Sequence, residues 1–125
     1  DTLGDTPRVA SIKLRRDRRV DTLALIVEDD HFTAAYASNI LNKDYELIHA
    51  KTGEEGLAAY IEHAPDIAFL DIHLPGMDGH QTLAAIRAAD PDAYVVMLSV
   101  DTVASNIKTA TELGAAGFLK KPFTK

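Results

Sequence analysis

The chain reads as an α/β domain built around a five-stranded parallel sheet, and two observations predict it. Short apolar runs alternate with segments of helical spacing, and most of the runs are continuously apolar, as strands covered on both faces require. The connections between runs are short and each carries a helix, which imposes parallel strands and right-handed crossovers. The strand candidates are Leu23 to Val27, Tyr45 to Ala50, Ile67 to Leu70, Tyr94 to Leu98 and Gly117 to Leu119.

Each element has its own signal. The first strand runs into Glu28-Asp29-Asp30, where Asp30 is an N-cap candidate for a helix marked by Phe32, Tyr36 and Ile40 at four-residue intervals. After the second strand, Thr52-Gly53-Glu54-Glu55 has the form of a capping box and precedes Leu57, Ala58 and Ile61. The third strand meets Asp71, followed by Ile72-His73-Leu74-Pro75-Gly76-Met77-Asp78-Gly79. Asp78, with Gln81 three residues on, is the N-cap candidate for a helix through Leu83 and Ile86. Ser99 ends the fourth strand. Asp101 then precedes Val103, Ile107 and Ala110, with Gly114 as the C-terminal stop, and the fifth strand runs into Lys120-Lys121-Pro122.

Composition bounds the function. A chain of 125 residues with 46% apolar and 26% charged residues is one globular domain of ordinary size. No apolar run approaches the ~18 residues that span a bilayer, and no signal peptide opens the chain. With no cysteine there is no disulfide framework or thiolate chemistry, which fits a reducing compartment. Residues 1–20 carry six basic and three acidic side chains, whereas the rest carry seven basic and sixteen acidic, so the net charge of −6 divides into +3 and −9. Residues 1–20 are therefore read as a basic arm or linker, with a short helix through Val9 to Arg16, and residues 21–125 as the domain. An acidic body argues against nucleic-acid binding by the domain itself.

In parallel α/β sheets ligands bind beyond the carboxyl ends of the strands. There the sequence places Glu28, Asp29 and Asp71 with Ser99 and Lys121. A carboxylate at the end of a buried strand is costly unless a metal, a lysine or water attends it. Three together call for a cation, and a hard oxygen set favours magnesium or calcium over zinc. Magnesium keeps several waters and shares its ligands with phosphate oxygens, so such a site is completed by a phosphoryl group. A carboxylate flanked by Mg²⁺ and a lysine is a nucleophile toward phosphorus, forming an acyl phosphate, and Ser99 is placed to hydrogen-bond that group.

On these residues the chain resembles the receiver domains of two-component response regulators, including the small stand-alone chemotaxis regulator. The resemblance covers about residues 22–124. It rests on Glu28-Asp29 after the first strand, Asp71 with the Leu74-Pro75-Gly76-Met77-Asp78-Gly79 loop, Ser99, Phe118 and Lys121-Pro122-Phe123. It implies a flavodoxin-like doubly wound sheet of order 2-1-3-4-5. Asp71 corresponds to the phosphoacceptor, Asp29 to a direct Mg²⁺ ligand, Glu28 to a ligand through water, and His73 to a backbone-carbonyl ligand. Mn²⁺ substitutes for Mg²⁺ in this expectation. Ser99 and Phe118 match the hydroxyl and aromatic of the family switch, Lys121 the phosphoryl-contacting lysine with a cis bond to Pro122, and His73 and Asp101 the positions that tune phosphoryl lifetime. The implied partners are a histidine kinase or histidine phosphotransfer protein upstream and a downstream protein or fused effector, with a homodimer as one assembly. The implied compartment is the cytoplasm, and the domain is no enzyme beyond its own phosphorylation and dephosphorylation.

Some residues depart from the family pattern. Val100 stands where Ala or Gly is usual and narrows access to the site, which favours an alternative reading as a receiver-like interaction module that is not phosphorylated. Phe118 lacks a hydroxyl, so a switch there rests on packing. A fifth helix, part of the usual output face, is not found before Lys125, and the arm is the candidate to cover that part of the sheet. A second rival takes Asp71, His73, Asp78 and His80 as ligands of a di-metal hydrolase. A third, an FMN-binding flavodoxin relative, lacks a phosphate-cradling loop where Glu28-Asp29-Asp30 stands.

Overall fold

A computed structural model describes residues 12, 14, 22–41, 44–99 and 104–120. The elements follow in strict alternation: β1 (Leu23–Val27), α1 (His31–Leu41), β2 (Glu46–Ala50), α2 (Gly53–His63), β3 (Ile67–Asp71), α3 (Gly79–Ala89), β4 (Val95–Ser99), α4 (Ala104–Glu112) and β5 (Gly117–Lys120). All strand pairs are parallel, in the order β2-β1-β3-β4-β5. The expected fold class and strand order are both found. Strands 3, 4 and 5 each run one residue further than the apolar pattern marks. Asp71 and Ser99 are themselves the last ladder residues, because Asp71 pairs with Leu98 and Ser99 with Lys120.

The continuous apolar runs serve two faces by alternation. Leu25, Val27, Ala68, Leu70, Val95 and Met97 belong to the larger core cluster, together with Tyr60 of α2, Leu83 and Ile86 of α3 and Ala110 of α4. Ala24, Ile26, Phe69 and Leu98 form the smaller cluster, which Ala37 of α1 joins from the other face. Ile12, inside the segment read as the arm, is helical and fully buried within the larger cluster, while Leu14 is exposed.

Helix starts follow the capping signals in part. Asp78 and Gln81 form the complete reciprocal box: the Gln81 N–H donates to Asp78 Oδ1 at 2.8 Å and the Asp78 N–H to Gln81 Oε1 at 3.0 Å. Asp30 caps α1, its carboxylate accepting from the Phe32 N–H and the Thr33 hydroxyl. At α2 only half of the box forms. The Glu55 N–H donates to Thr52 Oγ1 at 3.0 Å, but the Glu55 carboxylate accepts from Lys51 N–H, one residue before the cap. Gly114 has φ +95°, as a C-terminal stop requires.

One helix turns differently from its pattern. The Phe32-Tyr36-Ile40 recurrence marks α1 correctly but is not the face that it buries. Phe32 is 81% and Tyr36 44% exposed, while Ala34 and Ala37 are buried. At 100° per residue the Ala34, Ala37, Leu41 stripe is centred about 130° around the helix from the aromatic one, and Ala37 and Leu41 pack into the smaller core cluster.

Candidate functional site

The sheet register builds the site. Val27 pairs with Leu70, so Glu28 and Asp71, each the next residue, leave adjacent strands side by side. β4 lies on the other side of β3 and ends in Ser99. These three polar side chains are buried at 0%, 4% and 0% exposure in that order, whereas Asp29, one residue past Glu28, is exposed. Glu28, Asp29 and Asp71 each present a carboxylate oxygen within 4.8 Å of the others, the one such group of three or more metal-ligating side chains among the described residues.

Such proximity carries an electrostatic cost. At an effective dielectric of about 20, two like charges near that separation repel by about 3 kcal/mol, and less where Asp29 meets solvent. Local donors offset part of this. The Asp30 N–H donates to Glu28 Oε2 at 3.3 Å and the His73 N–H to Asp71 Oδ1 at 3.3 Å, both long bonds. A divalent cation with oxygen preference fits the donor set better than zinc, since no histidine nitrogen or thiolate joins it.

The backbone around the acids is fixed from outside the strands. Glu28 N–H donates to the Ala50 carbonyl at 3.0 Å, extending the β1–β2 ladder past Val27. His49 Nε2 lies 2.9 Å from the Glu28 carbonyl oxygen, so that nitrogen carries the proton and donates. Behind Asp71, the Gly79 N–H donates to the Ile72 carbonyl at 2.8 Å, and a Cβ on Gly79 would fall 2.3 Å from the Asp71 carbonyl oxygen. No side chain fits there, so α3 starts directly against the strand end that carries Asp71. A cavity of about 560 Å³ opens beside the acids, lined among others by Asp29, Ile72, His73, Leu74, Pro75 and Asn106.

Of the residues singled out in the sequence, Glu28, Asp29, Asp71 and Ser99 thus come to one edge of the sheet. Phe118 lies on β5, half-buried and packed against the larger core cluster. The His73 side chain is exposed at the cavity. Lys121, Pro122, Val100 and Asp101 lie outside the described residues. Lys121 follows directly on Lys120, the ladder partner of Ser99. The di-metal set of Asp71, His73, Asp78 and His80 does not assemble: the Asp78 carboxylate caps α3, and neither Asp78 nor His80 joins the acidic group. The contact of His49 with the Glu28 carbonyl is one that nothing in the sequence marks before the β1–β2 register is known. No helix among the described residues is long and apolar enough to cross a membrane.

Comparison with known proteins agrees with this geometry. The response regulator receiver domain model matches residues 24–125. The chain is 41% identical to the chemotaxis protein CheY of Listeria monocytogenes over 101 residues, covering 79% of this chain and 85% of that one. It is 36% identical over 103 residues to the transcriptional regulatory protein KdpE of Mycobacterium tuberculosis, covering 82% of this chain but 45% of that longer protein. Among solved structures, the CheX–CheY–BeF3–Mg²⁺ complex from Borrelia burgdorferi superposes with a TM-score of 0.81 at 33% identity, covering 86% of this chain and 84% of that one. An acidic triad at the carboxyl edge of a 2-1-3-4-5 parallel sheet, carried by a sequence that the family model matches almost from β1 to its last residue, places the chain in the response regulator receiver domain family of two-component systems.

Proposed function

We propose that the domain accepts a phosphoryl group from a phosphohistidine donor onto Asp71, in a Mg²⁺-dependent reaction, and changes conformation to signal. The observation that carries this reading is the convergence of Glu28, Asp29 and Asp71 within 4.8 Å at the carboxyl edge of the sheet. In the proposed site Asp29 and Asp71 hold Mg²⁺ directly, Glu28 through water and His73 through its backbone carbonyl, with Mn²⁺ able to substitute. The cation neutralises charge on the carboxylates and on the phosphoryl oxygens.

The chain's own groups do the rest. An Asp71 carboxylate oxygen attacks phosphorus, the O–P bond forms as the N–P bond to the donor imidazole breaks, and the imidazole leaves with a proton from solvent. Burial of Asp71 at 4% exposure limits water at the nucleophile. Lys121 pairs with a phosphoryl oxygen, and the Ser99 hydroxyl donates to another. Movement of Ser99 toward the phosphoryl group draws the Phe118 ring inward, so the modification biases a two-state element. His73 and Asp101 flank the acyl phosphate and tune its hydrolysis. The domain acts on no substrate but its own Asp71.

A histidine kinase or phosphotransfer protein is the proposed donor and a separate or fused effector the proposed receiver of the signal, in the cytoplasm. The relatives support both arrangements, since one is a short chemotaxis protein and another a longer transcriptional regulator. Incubation with Mg²⁺ and a small acyl-phosphate donor tests the reading by intact mass. A phosphoryl adduct that disappears in Asp71→Asn is expected. No adduct on the wild-type chain would favour the alternative of an unphosphorylated interaction module.

A further inference from the structure

Residues 72–78 leave the sheet at Asp71 and return against it at Gly79. The far side of this loop reaches the start of α2. There the Met77 N–H donates to Glu54 Oε1 at 3.2 Å. Gly76 has φ +70°, and a Cβ on it would stand 2.8 Å from Glu54 Oε2, so the Glu54 carboxylate occupies the space that a side chain would take. Gly53, one residue earlier on α2, is pressed so close that a Cβ would meet the Met77 carbonyl oxygen and Thr82 Oγ1, both at 2.3 Å. Thr82 is fully buried, and its hydroxyl donates to the Asp78 carbonyl at 2.7 Å. The first turns of α2 and α3 therefore grip the loop from both sides.

The two glutamates that open α2 divide their work. Both are placed to favour the helix dipole. Glu55 turns back and accepts from Lys51 N–H at 3.0 Å, serving its own helix. Glu54 turns away from its helix, to a loop 23 residues further along the chain. A residue used only to start α2 has no reason to do so.

We propose that Glu54 is a positioning residue for the Asp71 site: by holding Met77 it fixes the loop that carries His73, and so sets the affinity of the site for Mg²⁺. This rests on the phosphoacceptor reading, in which the His73 carbonyl is a metal contact. Glu54 never touches the metal or the phosphoryl group. Its bond is solvent-exposed, so the effect is a matter of a few-fold rather than of all or nothing.

The test uses the whole 125-residue chain in four forms: wild type, Glu54→Ala, Glu54→Gln and Glu55→Ala. Two quantities are read, the Kd for Mg²⁺ and the amide exchange rate of Met77. Glu54→Ala raises the Kd about three- to fivefold and speeds Met77 exchange. Glu54→Gln, whose amide oxygen still accepts the bond, stays within about twofold on both readouts. Glu55→Ala removes the same charge from the same helix end and leaves both unchanged. Equal changes in Glu54→Ala and Glu55→Ala would assign the effect to helix charge and overturn the proposal. Faster Met77 exchange with an unchanged Kd would overturn it as well. A wild-type chain that binds no Mg²⁺ would instead overturn the phosphoacceptor reading, and the role of Glu54 with it.

Discussion

At the amino end of the sheet, acids are matched one by one to donors of the fold. Asp66 Oδ2 accepts the Leu23 N–H at 2.8 Å, closing the start of β1 against the start of β3. Asp90, fully buried at the end of α3, accepts the Tyr60 hydroxyl at 2.7 Å and the Asp92 N–H at 3.1 Å. At the carboxyl end Glu28, Asp29 and Asp71 are gathered within 4.8 Å of one another, and the backbone donors to Glu28 Oε2 and Asp71 Oδ1 stand at 3.3 Å. The two sets lie at opposite ends of one sheet, and two of the acids at each end are wholly or partly buried. An acid matched to fold donors stabilises the fold, whereas like charges gathered together also favour a cation that binds them.

The contrast breaks most visibly at Asp90. Asp90→Ala leaves the hydroxyl of Tyr60, a residue 1% exposed, without its carboxylate. The expected cost is about 3 kcal/mol, seen as a fall of about 10 °C in Tm, with Mg²⁺ affinity retained. A loss of Mg²⁺ binding in this variant would show that the two ends are not separable. The next effect belongs to the carboxyl end. Mg²⁺ at ten times its Kd should add about 1.4 kcal/mol, read as a rise in Tm of several degrees, and Asp71→Asn should abolish that gain.

A smaller effect has the opposite sign. Without Mg²⁺ and at low ionic strength, Asp71→Asn relieves repulsion from Glu28 and Asp29, and stability rises by about 1 kcal/mol. A fall in Tm would mean that the fold donors to Asp71, the His73 N–H among them, outweigh the repulsion. The smallest effect falls on α1. Phe32→Ala should change stability by less than about 0.5 kcal/mol, because the residue is 81% exposed, and chemical denaturation measures it.

That last expectation shows where sequence reading stops. The strands, their parallel direction and the meeting of Glu28, Asp29, Asp71 and Ser99 were legible because each depends on local pattern plus one topological rule, whereas the strand order came with the family resemblance. So was the Asp78–Gln81 box, a contact across three residues. The buried face of α1 was not: Phe32 and Tyr36 announce a helix, but which stripe meets the sheet depends on tertiary placement, and Ala34 and Ala37 make it. Nor were the His49 and Glu54 contacts legible. Each joins residues more than twenty apart, and nothing in either side chain's neighbourhood marks its partner.

The central claim is that the gathered acids exist to make Asp71 reactive toward phosphorus. Reductive trapping tests it most directly. The chain is incubated with an acyl-phosphate donor, with and without Mg²⁺, and treated with borohydride, which reduces an aspartyl phosphate to homoserine. Peptide mass mapping should find homoserine at position 71 alone, and only when Mg²⁺ was present. Homoserine at position 29, at no position, or at position 71 regardless of Mg²⁺ would contradict the account.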